Sequence, residues 1–173
     1  MEVNPVLRGL VFPPERRRVT PATEAQYGFA ETLVVSLADL YAGKMVAALD
    51  RQHPRDLFDI KLMLEQNLLT PEVMKAFLVY LISHDRRMGE LLSPKFKSLE
   101  PEYSASFQGM TRQAVSLAEL ETAREDLIDY LRHYLTEKDK RFLLSFKERQ
   151  PEWRLLELPH VKELPAVRWK LTN

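Results

Sequence analysis

The chain has 173 residues, of which 45% are hydrophobic, which is enough for one domain with a sizeable core. Lysine plus arginine and aspartate plus glutamate each number 25, so no overall charge attracts nucleic acid or acidic membranes, and any polyanion site must be local. Zero cysteines exclude disulfides and cysteine-bound metals. No apolar run approaches the roughly 20 residues that span a bilayer, and the first residues lack the order of a signal peptide. We therefore expect a cytoplasmic protein with no membrane attachment.

Strand-like segments occur only in the first 35 residues. Residues 1–4, 7–12 and 32–35 are short, rich in β-branched or aromatic side chains, and separated by prolines. Two or three such strands need further strands or covering helices to be stable. The pattern therefore predicts part of an incomplete sheet.

Basic residues in this region offer two candidate phosphate contacts. Arg8 lies in a predicted strand beside Gly9, where the missing side chain lets another backbone or a ligand approach closely. Residues 15–18 form an arginine-rich cluster that we predict to lie in a proline-rich loop. A solvated loop face is the favoured interpretation of that cluster.

The segment from residue 40 to residue 59 organises the chain. Ser36 is a good N-cap, so a helix should begin at Leu37. Because an unpaired buried ammonium is costly, Lys44 needs a carboxylate or an anionic ligand, and we predict that it is more than three-quarters buried. Helical spacing predicts one protein-facing arc for this helix, which contains Leu37, Leu40, Tyr41, Lys44, Ala48 and Arg51.

A second helix should begin at Pro54, since proline favours the first helical position. Asp56 and Asp59 are three residues apart and therefore neighbours on this helix. Asp56 is the first predicted partner of Lys44, and Asp59 is the second. The spacing leaves two interpretations open: a structural ion-pair network that also includes Arg51, or a functional site.

The rest of the chain predicts further helices. They cover residues 54–66, 71–83, 117–135, 137–148 and 164–171, with an irregular linker at residues 89–115. Thr70 and Ser116 are the predicted N-caps of the second and third of these helices, and Pro71 lies in the first turn after Thr70. The predicted fold class is mainly α (α+β), with short N-terminal strands followed by a helical bundle of about five to seven helices.

Four stretches, residues 2–14, 35–44, 55–59 and 164–171, together resemble the AbiEii/AbiGii toxin family of nucleotidyltransferases, and the resemblance covers essentially the whole chain. It implies transfer of a nucleotide from an NTP to an acceptor such as RNA, with Mg²⁺ as cofactor. It also implies a type IV toxin–antitoxin system and therefore an antitoxin as partner.

By this resemblance the catalytic lysine is Lys44, and Asp56 and Asp59 complete the nucleotide site. The phosphates would be bound by three arginines, and a metal by a strand carboxylate at Glu2. The alternative for Glu2 is a solvated N-terminal acid, which is the favoured interpretation. The three phosphate-binding candidates are Arg8, Arg51 and Arg55.

The sequence departs from the family pattern at one motif. A Gly-Ser followed by an Asp-x-Asp, which binds metal and triphosphate in the family, occurs nowhere in the chain. We therefore expect residues 1–50 to be a remnant of the nucleotidyltransferase core with its central helix, and residues 51–173 to be a helical C-terminal domain.

By itself such a chain should be inactive, and it should pair with an upstream half of the enzyme or self-associate. The alternative function is a non-catalytic helical module that binds a partner such as a cognate antitoxin.

Overall fold

The computed structural model describes residues 9–173. Within this range, nine α-helices accompany one two-stranded sheet near its start, which confirms the mainly α prediction. The strands are β1 (Glu15–Arg18) and β2 (Glu31–Val34). The helices are α1 (Pro21–Tyr27), α2 (Leu37–Arg51), α3 (Pro54–Glu65), α4 (Pro71–Ile82), α5 (Met88–Leu92), α6 (Glu100–Ser106), α7 (Leu117–Tyr134), α8 (Glu137–Lys147) and α9 (Pro165–Thr172).

The sheet is antiparallel, with Glu15 opposite Val34 and Arg18 opposite Glu31. Strand β2 confirms the predicted strand at residues 32–35. The prediction of a loop at residues 15–18 was wrong, because cross-strand pairing with β2 holds this charged segment extended. Residues 9–12 form no strand, and the rest of the predicted strands 1–4 and 7–12 lies outside the described residues.

The arginines of β1 already have acidic partners. Arg17 contacts Glu15 at 2.7 Å, and Arg18 contacts Glu24 of α1 at 3.4 Å. These pairs are largely exposed, so they add little stability. Their pairing favours the solvated surface over a phosphate contact.

Helix α4 lies at the centre of the core, with buried side chains around most of its surface. Helix α2 packs mainly against α4, while α3 packs against both α2 and α7. The N-cap and first-turn proline of α4 follow the predicted pattern, and Thr70 accepts a hydrogen bond from the Val73 amide. Its almost continuous apolar composition, including Phe77 at 0% exposure, explains why it is covered on all sides.

The buried side of α2 differs from the predicted one. The helix buries Ala42, Met45 and Leu49 against its neighbours, whereas Leu37 and Leu40 are 45% and 40% exposed. Small side chains let α2 approach α4 closely. This close packing, and not burial of the larger side chains Leu37 and Leu40, sets which side of α2 faces the core. Of the predicted protein-facing arc, Ala48 is buried and Tyr41 packs against the core, whereas Leu37, Leu40 and Arg51 are exposed.

Asp39 fixes the first described residues to α2. Its carboxylate is 1% exposed and accepts hydrogen bonds from the backbone amides of Val11 (2.8 Å) and Phe12 (2.9 Å). It also accepts from the hydroxyls of Ser36 (2.7 Å) and Tyr80 (3.1 Å). The carboxylate thus joins three parts of the chain in one buried network.

The C-terminal segment closes over the same region. His160 Nε2 lies 2.7 Å from the Val11 carbonyl oxygen. Gly9 has a φ of 85°, and a Cβ at this position would lie 2.8 Å from Leu164 Cδ2. The close approach expected at Gly9 is therefore made by a side chain of the same protein.

None of the described helices combines the length and hydropathy needed to cross a bilayer. The helix count of five to seven was too low, because α1 and the two short linker helices α5 and α6 are additional. The proposed boundary between residues 1–50 and residues 51–173 stays a prediction.

Candidate functional site

The α2–α3 hairpin positions all of the predicted catalytic side chains. Helix α2 ends at Gln52, which adopts the left-handed conformation with φ 52°. His53 then caps α3, its Nδ1 accepting a hydrogen bond from the Arg55 amide at 3.2 Å, and Pro54 occupies the first helical turn. The reversal is tight, so α3 returns along α2 and brings their facing charged residues together.

Two ion pairs connect the helices. Lys44 pairs with Asp59, and Arg51 Nη2 lies 2.6 Å from Asp56 Oδ1. The prediction that Lys44 has a carboxylate partner is confirmed, with the second predicted partner, Asp59, in place of the first, Asp56. Asp56 lies too near the start of α3 to reach Lys44, and it pairs with the arginine at the end of α2 instead.

Lys44 is less buried than predicted. Its side chain is 34% exposed and that of Asp59 is 35% exposed, so the prediction of more than three-quarters burial was wrong. The cause is the orientation of α2, which turns Lys44 toward the same open side as Leu40. A ligand approaching from solvent can therefore reach the ammonium without unfolding the hairpin.

Asp56 has one unsatisfied oxygen. Its side chain is 13% exposed, and Oδ2 is buried without a hydrogen-bond partner. Because a buried carboxylate oxygen normally accepts a hydrogen bond, this atom marks a place for a donor that residues 9–173 do not supply. Such a donor could be a substrate hydroxyl or an ordered water.

Arg55 is exposed and contacts the Ser106 carbonyl oxygen at 3.3 Å. It has no acidic partner among residues 9–173. Among the predicted site residues on the hairpin, Lys44, Arg51 and Arg55 are cations, and Asp56 and Asp59 are carboxylates. The hairpin as a whole also carries Lys61, Asp39, Asp50 and Glu65. The remaining predicted site residues, Glu2 and Arg8, lie outside the described part of the chain.

The described residues do not suit a metal ion. No group of three or more histidine, aspartate or glutamate side chains lies together among residues 9–173. Asp56 and Asp59 are each engaged by a cation, which opposes binding of a second cation. The Arg55 guanidinium, which has no acidic partner within residues 9–173, suits an anionic ligand such as a phosphate group.

The sequence analysis missed one buried polar network beside this hairpin. Gln52 is 4% exposed and Arg124 of α7 is 6% exposed, and Arg124 Nη1 donates to Gln52 Oε1 at 3.1 Å. Burial lowers the pKa of the Arg124 guanidinium from its ordinary value, and the charges of Glu121 and Glu125 partly oppose this effect. The signal available in the sequence was Arg124 itself, which lies among the apolar residues of α7, beside Ala123 and Leu127. A charged residue at such a position indicates a buried polar contact.

Lys44, Arg51 and Arg55 lie on one hairpin, and their side chains are of the type that binds phosphate groups. Residues 1–173 match the family described as "Nucleotidyl transferase AbiEii toxin, Type IV TA system". The chain therefore belongs to the AbiEii nucleotidyltransferase toxin family of type IV toxin–antitoxin systems. No curated protein and no solved structure was found to match it.

Proposed function

We propose that the α2–α3 hairpin is the nucleotide-binding part of a site that transfers a nucleotide from an NTP to an acceptor such as RNA. The family supplies the reaction class. The observation that carries the proposal is Asp56 Oδ2, a buried acceptor with no hydrogen-bond donor among the described residues, on the hairpin that carries Lys44, Arg51 and Arg55. This combination offers a proton acceptor beside groups that can bind phosphate.

In this proposal Lys44 and Arg51 exchange their carboxylate partners for phosphate oxygens of the NTP. The exchange is inexpensive, because partly exposed ion pairs contribute only about 0–1 kcal/mol. Arg55 provides further charge without first losing an acid. Cations fixed beside the phosphates stabilise the charge that spreads over their oxygens in the transition state.

The proposed step is a displacement at phosphorus. An oxygen of the acceptor hydroxyl forms a bond to the α-phosphorus, while the bond from that phosphorus to the oxygen bridging to the β-phosphate breaks. Pyrophosphate leaves with that electron pair. The hydroxyl proton passes to Asp56 Oδ2, and Asp59 keeps Lys44 oriented between turnovers.

Magnesium is the cofactor that the family resemblance implies, and we propose that it enters with the NTP. Because the described residues do not gather a metal site, the roles given above to Lys44, Arg51 and Asp56 use no metal. The proposed compartment is the cytoplasm.

Nucleotide binding tests the hairpin directly. We expect Lys44→Ala to weaken binding of an NTP, measured by isothermal titration calorimetry, by about tenfold or more, since it removes a charge-assisted contact. Lys61→Ala is the matched control: this α3 lysine is also partly buried and paired with acids, Glu65 and Glu119. Equal weakening by both variants would contradict the assignment.

Transfer of a labelled nucleotide to an RNA pool tests the chemistry. We expect no transfer by the chain alone, and transfer when a segment carrying Gly-Ser and Asp-x-Asp is added. Lys44→Ala and Asp56→Ala should each abolish that transfer while circular dichroism shows a folded protein. Retained transfer by folded Lys44→Ala, or robust transfer by the chain alone that requires Lys44, would contradict the proposal in its present form.

A second candidate function is a non-catalytic module that binds an antitoxin. The observation that favours it is a run of exposed apolar side chains on and beside the hairpin of β1 and β2, including Phe29, Leu33 and Leu40. Exposed patches of this kind often mark protein interfaces. Binding of an antitoxin with no NTP binding and no transfer would favour this alternative.

A further inference from the structure

Residues 95–97 cross the end of α2 and present an aromatic ring to solvent. Gln52 Nε2 donates to the Lys95 carbonyl oxygen at 2.8 Å, and Gln52 Oε1 accepts from the Lys97 amide at 3.1 Å. Arg124 Nη1 donates to the Lys97 carbonyl oxygen at 2.8 Å. The backbone on both sides of Phe96 is therefore fixed by two buried side chains.

The guanidinium of Arg124 lies against the Phe96 ring. Its Cζ is 4.2 Å from the ring centroid, and its Nε is buried without a hydrogen-bond partner. Arg124 has no ion-paired carboxylate among the described residues, so the cation–π contact to Phe96 is one of the interactions that offset the cost of burying its charge. The Phe96 side chain nevertheless remains 52% exposed, so its position is fixed while much of its surface stays free.

Phe96 also lines a surface cleft of about 410 Å³, a volume within the range of small-molecule sites. Pro94 and Ile128 give this cleft further apolar lining, and Glu125 and Asp129 of α7 line it with carboxylates. Ser93 and Arg132 complete the lining, and Arg132 pairs with Asp129 at 3.1 Å. The combination provides a flat ring for stacking and hydrogen-bond acceptors for the edge of a ligand.

Cations flank the ring along the chain. Lys95 and Lys97 are exposed, and neither has an acidic partner within the described residues. Lys97 Nζ lies 3.4 Å from the Arg51 carbonyl oxygen, which places it at the end of the helix that carries Lys44. Cations beside the ring and carboxylates in the cleft match a nucleotide, whose phosphate is anionic and whose base carries amino groups.

We propose that this cleft binds one base of a single-stranded nucleic acid. The base stacks on Phe96, its exocyclic amino group donates to Glu125 or Asp129, and the flanking phosphates contact Lys95 and Lys97. Gln52 is about 12 Å along the helix axis from Lys44, a distance that a strand of a few nucleotides spans. The assignment as the acceptor surface rests on the proposed transfer activity, whereas binding of the strand does not.

The test measures binding of labelled hexanucleotides to the whole chain by fluorescence anisotropy at low salt. Loss of base stacking should weaken binding about 5- to 100-fold, so we expect that loss for Phe96→Leu and near-normal binding for Phe96→Tyr. Lys95→Ala should weaken binding and reduce its salt dependence. Lys61→Ala should leave the affinity within about twofold. Because this assay measures binding of the strand and not nucleotide transfer, failure of the transfer proposal is distinguishable from failure of this one.

Two further arms address the ligand. An oligocytidine should bind more tightly than an oligouridine, because only cytosine has an amino group that donates to the cleft carboxylates. The ratio between the RNA and DNA forms of the oligocytidine identifies which nucleic acid is the natural class, since only RNA has a 2′-hydroxyl.

Phe29→Leu is the matched control. Phe29 is 62% exposed and also lies against an arginine, with Arg18 Cζ 4.9 Å from its ring centroid. We expect no loss of binding for this variant. The proposal is overturned if wild type binds no hexanucleotide, if Phe96→Leu binds normally, if Phe29→Leu loses as much affinity as Phe96→Leu, or if oligouridine binds as tightly as oligocytidine.

Discussion

Asp39 is the residue on which the first described segment depends. It is almost fully buried and accepts hydrogen bonds from Val11, Phe12, Ser36 and Tyr80. The sequence gives a signal for only one of these bonds, because only Ser36 is its helix-capping neighbour. The other three come from distant segments, and no local pattern predicts them.

Replacement of Asp39 by asparagine tests this network. The amide presents a donor where the carboxylate accepted a bond, so at least one buried amide or hydroxyl loses its partner, at a cost of about 1–3 kcal/mol. We expect urea unfolding to show a loss of about 2 kcal/mol for Asp39→Asn. The exposed Asp126→Asn on α7 should change the free energy of unfolding by less than about 0.5 kcal/mol, and equal values for the two variants would refute the role of Asp39.

Glu157 gives the fold a pH-dependent link. It pairs with Lys75 of α4 at 2.9 Å and with Lys138 of α8, and hydrogen bonds from Lys138 and then Lys75 lower its pKa to about 2 from 4.5. Because the pKa is lower in the folded state, this link stabilises the protein above the unfolded pKa. The stabilisation is lost as the pH falls from about 4.5 toward about 2.

We therefore expect Glu157→Gln to lower the melting temperature at neutral pH and to differ progressively less from wild type below about pH 4.5. Glu163→Gln, an exposed glutamate with no ion pair among the described residues, is the control and should show no such pH-dependent difference. A constant gap between wild type and Glu157→Gln down to about pH 3 would contradict the lowered pKa.

Helix boundaries were the best predicted elements. Ser36, Thr70 and Ser116 each cap a helix in the way that their sequence context predicts. The same Thr-Pro signal at Thr20 starts α1, and it was overlooked because the seven-residue helix buries no side chain. Strand β1 could not be predicted from its own residues, since its extended state depends on pairing with β2.

The orientation of α2 limited the prediction of the site. The spacing correctly predicted that Lys44 lies near the acids of α3. The contact between α2 and α3 stays the same when the hairpin as a unit is turned relative to α4. The burial of each side chain depended on which arc of α2 faces α4, and that arc contains Ala42, Met45 and Leu49. The fit between α2 and α4 depends on the side chains of both helices, so the sequence of either helix alone does not predict it.

A double-mutant cycle on Lys44 and Asp59 tests how the hairpin uses this ion pair. Both side chains are about one-third exposed, so solvent screening should limit the coupling to about 1 kcal/mol or less. We expect Lys44→Met, Asp59→Asn and the double variant all to remain folded in urea titrations. A coupling of several kcal/mol would show that the pair is a structural requirement, and it would support the ion-pair network interpretation over a functional site.

At the scale of the whole molecule, exposed apolar side chains are concentrated in residues 27–40. Tyr27, Phe29, Leu33, Leu37 and Leu40 are between 40% and 77% exposed, and they fall within 14 consecutive residues. In the described residues, β1 and β2 pair only with each other, so each has an open edge that can pair with another chain. This surface agrees with the expectation of self-association or of pairing with another segment, which stays a prediction.

Substitution of two exposed leucines tests that expectation. Leu33 lies on β2 and Leu40 lies on α2, so glutamate at both positions would place charge on the sheet and on the helix without changing the core. If this surface drives association, sedimentation velocity at increasing concentration should show oligomers for wild type and a monomer for the double variant Leu33→Glu/Leu40→Glu. The matched control is Leu144→Glu on α8, because Leu144 is 54% exposed and lies outside this surface. We expect the control to associate like wild type, since burial of apolar area between molecules is the driving force and this area is unchanged. A monomeric wild type, or equal loss of association in the control, would show that the exposed apolar surface does not hold copies of the chain together.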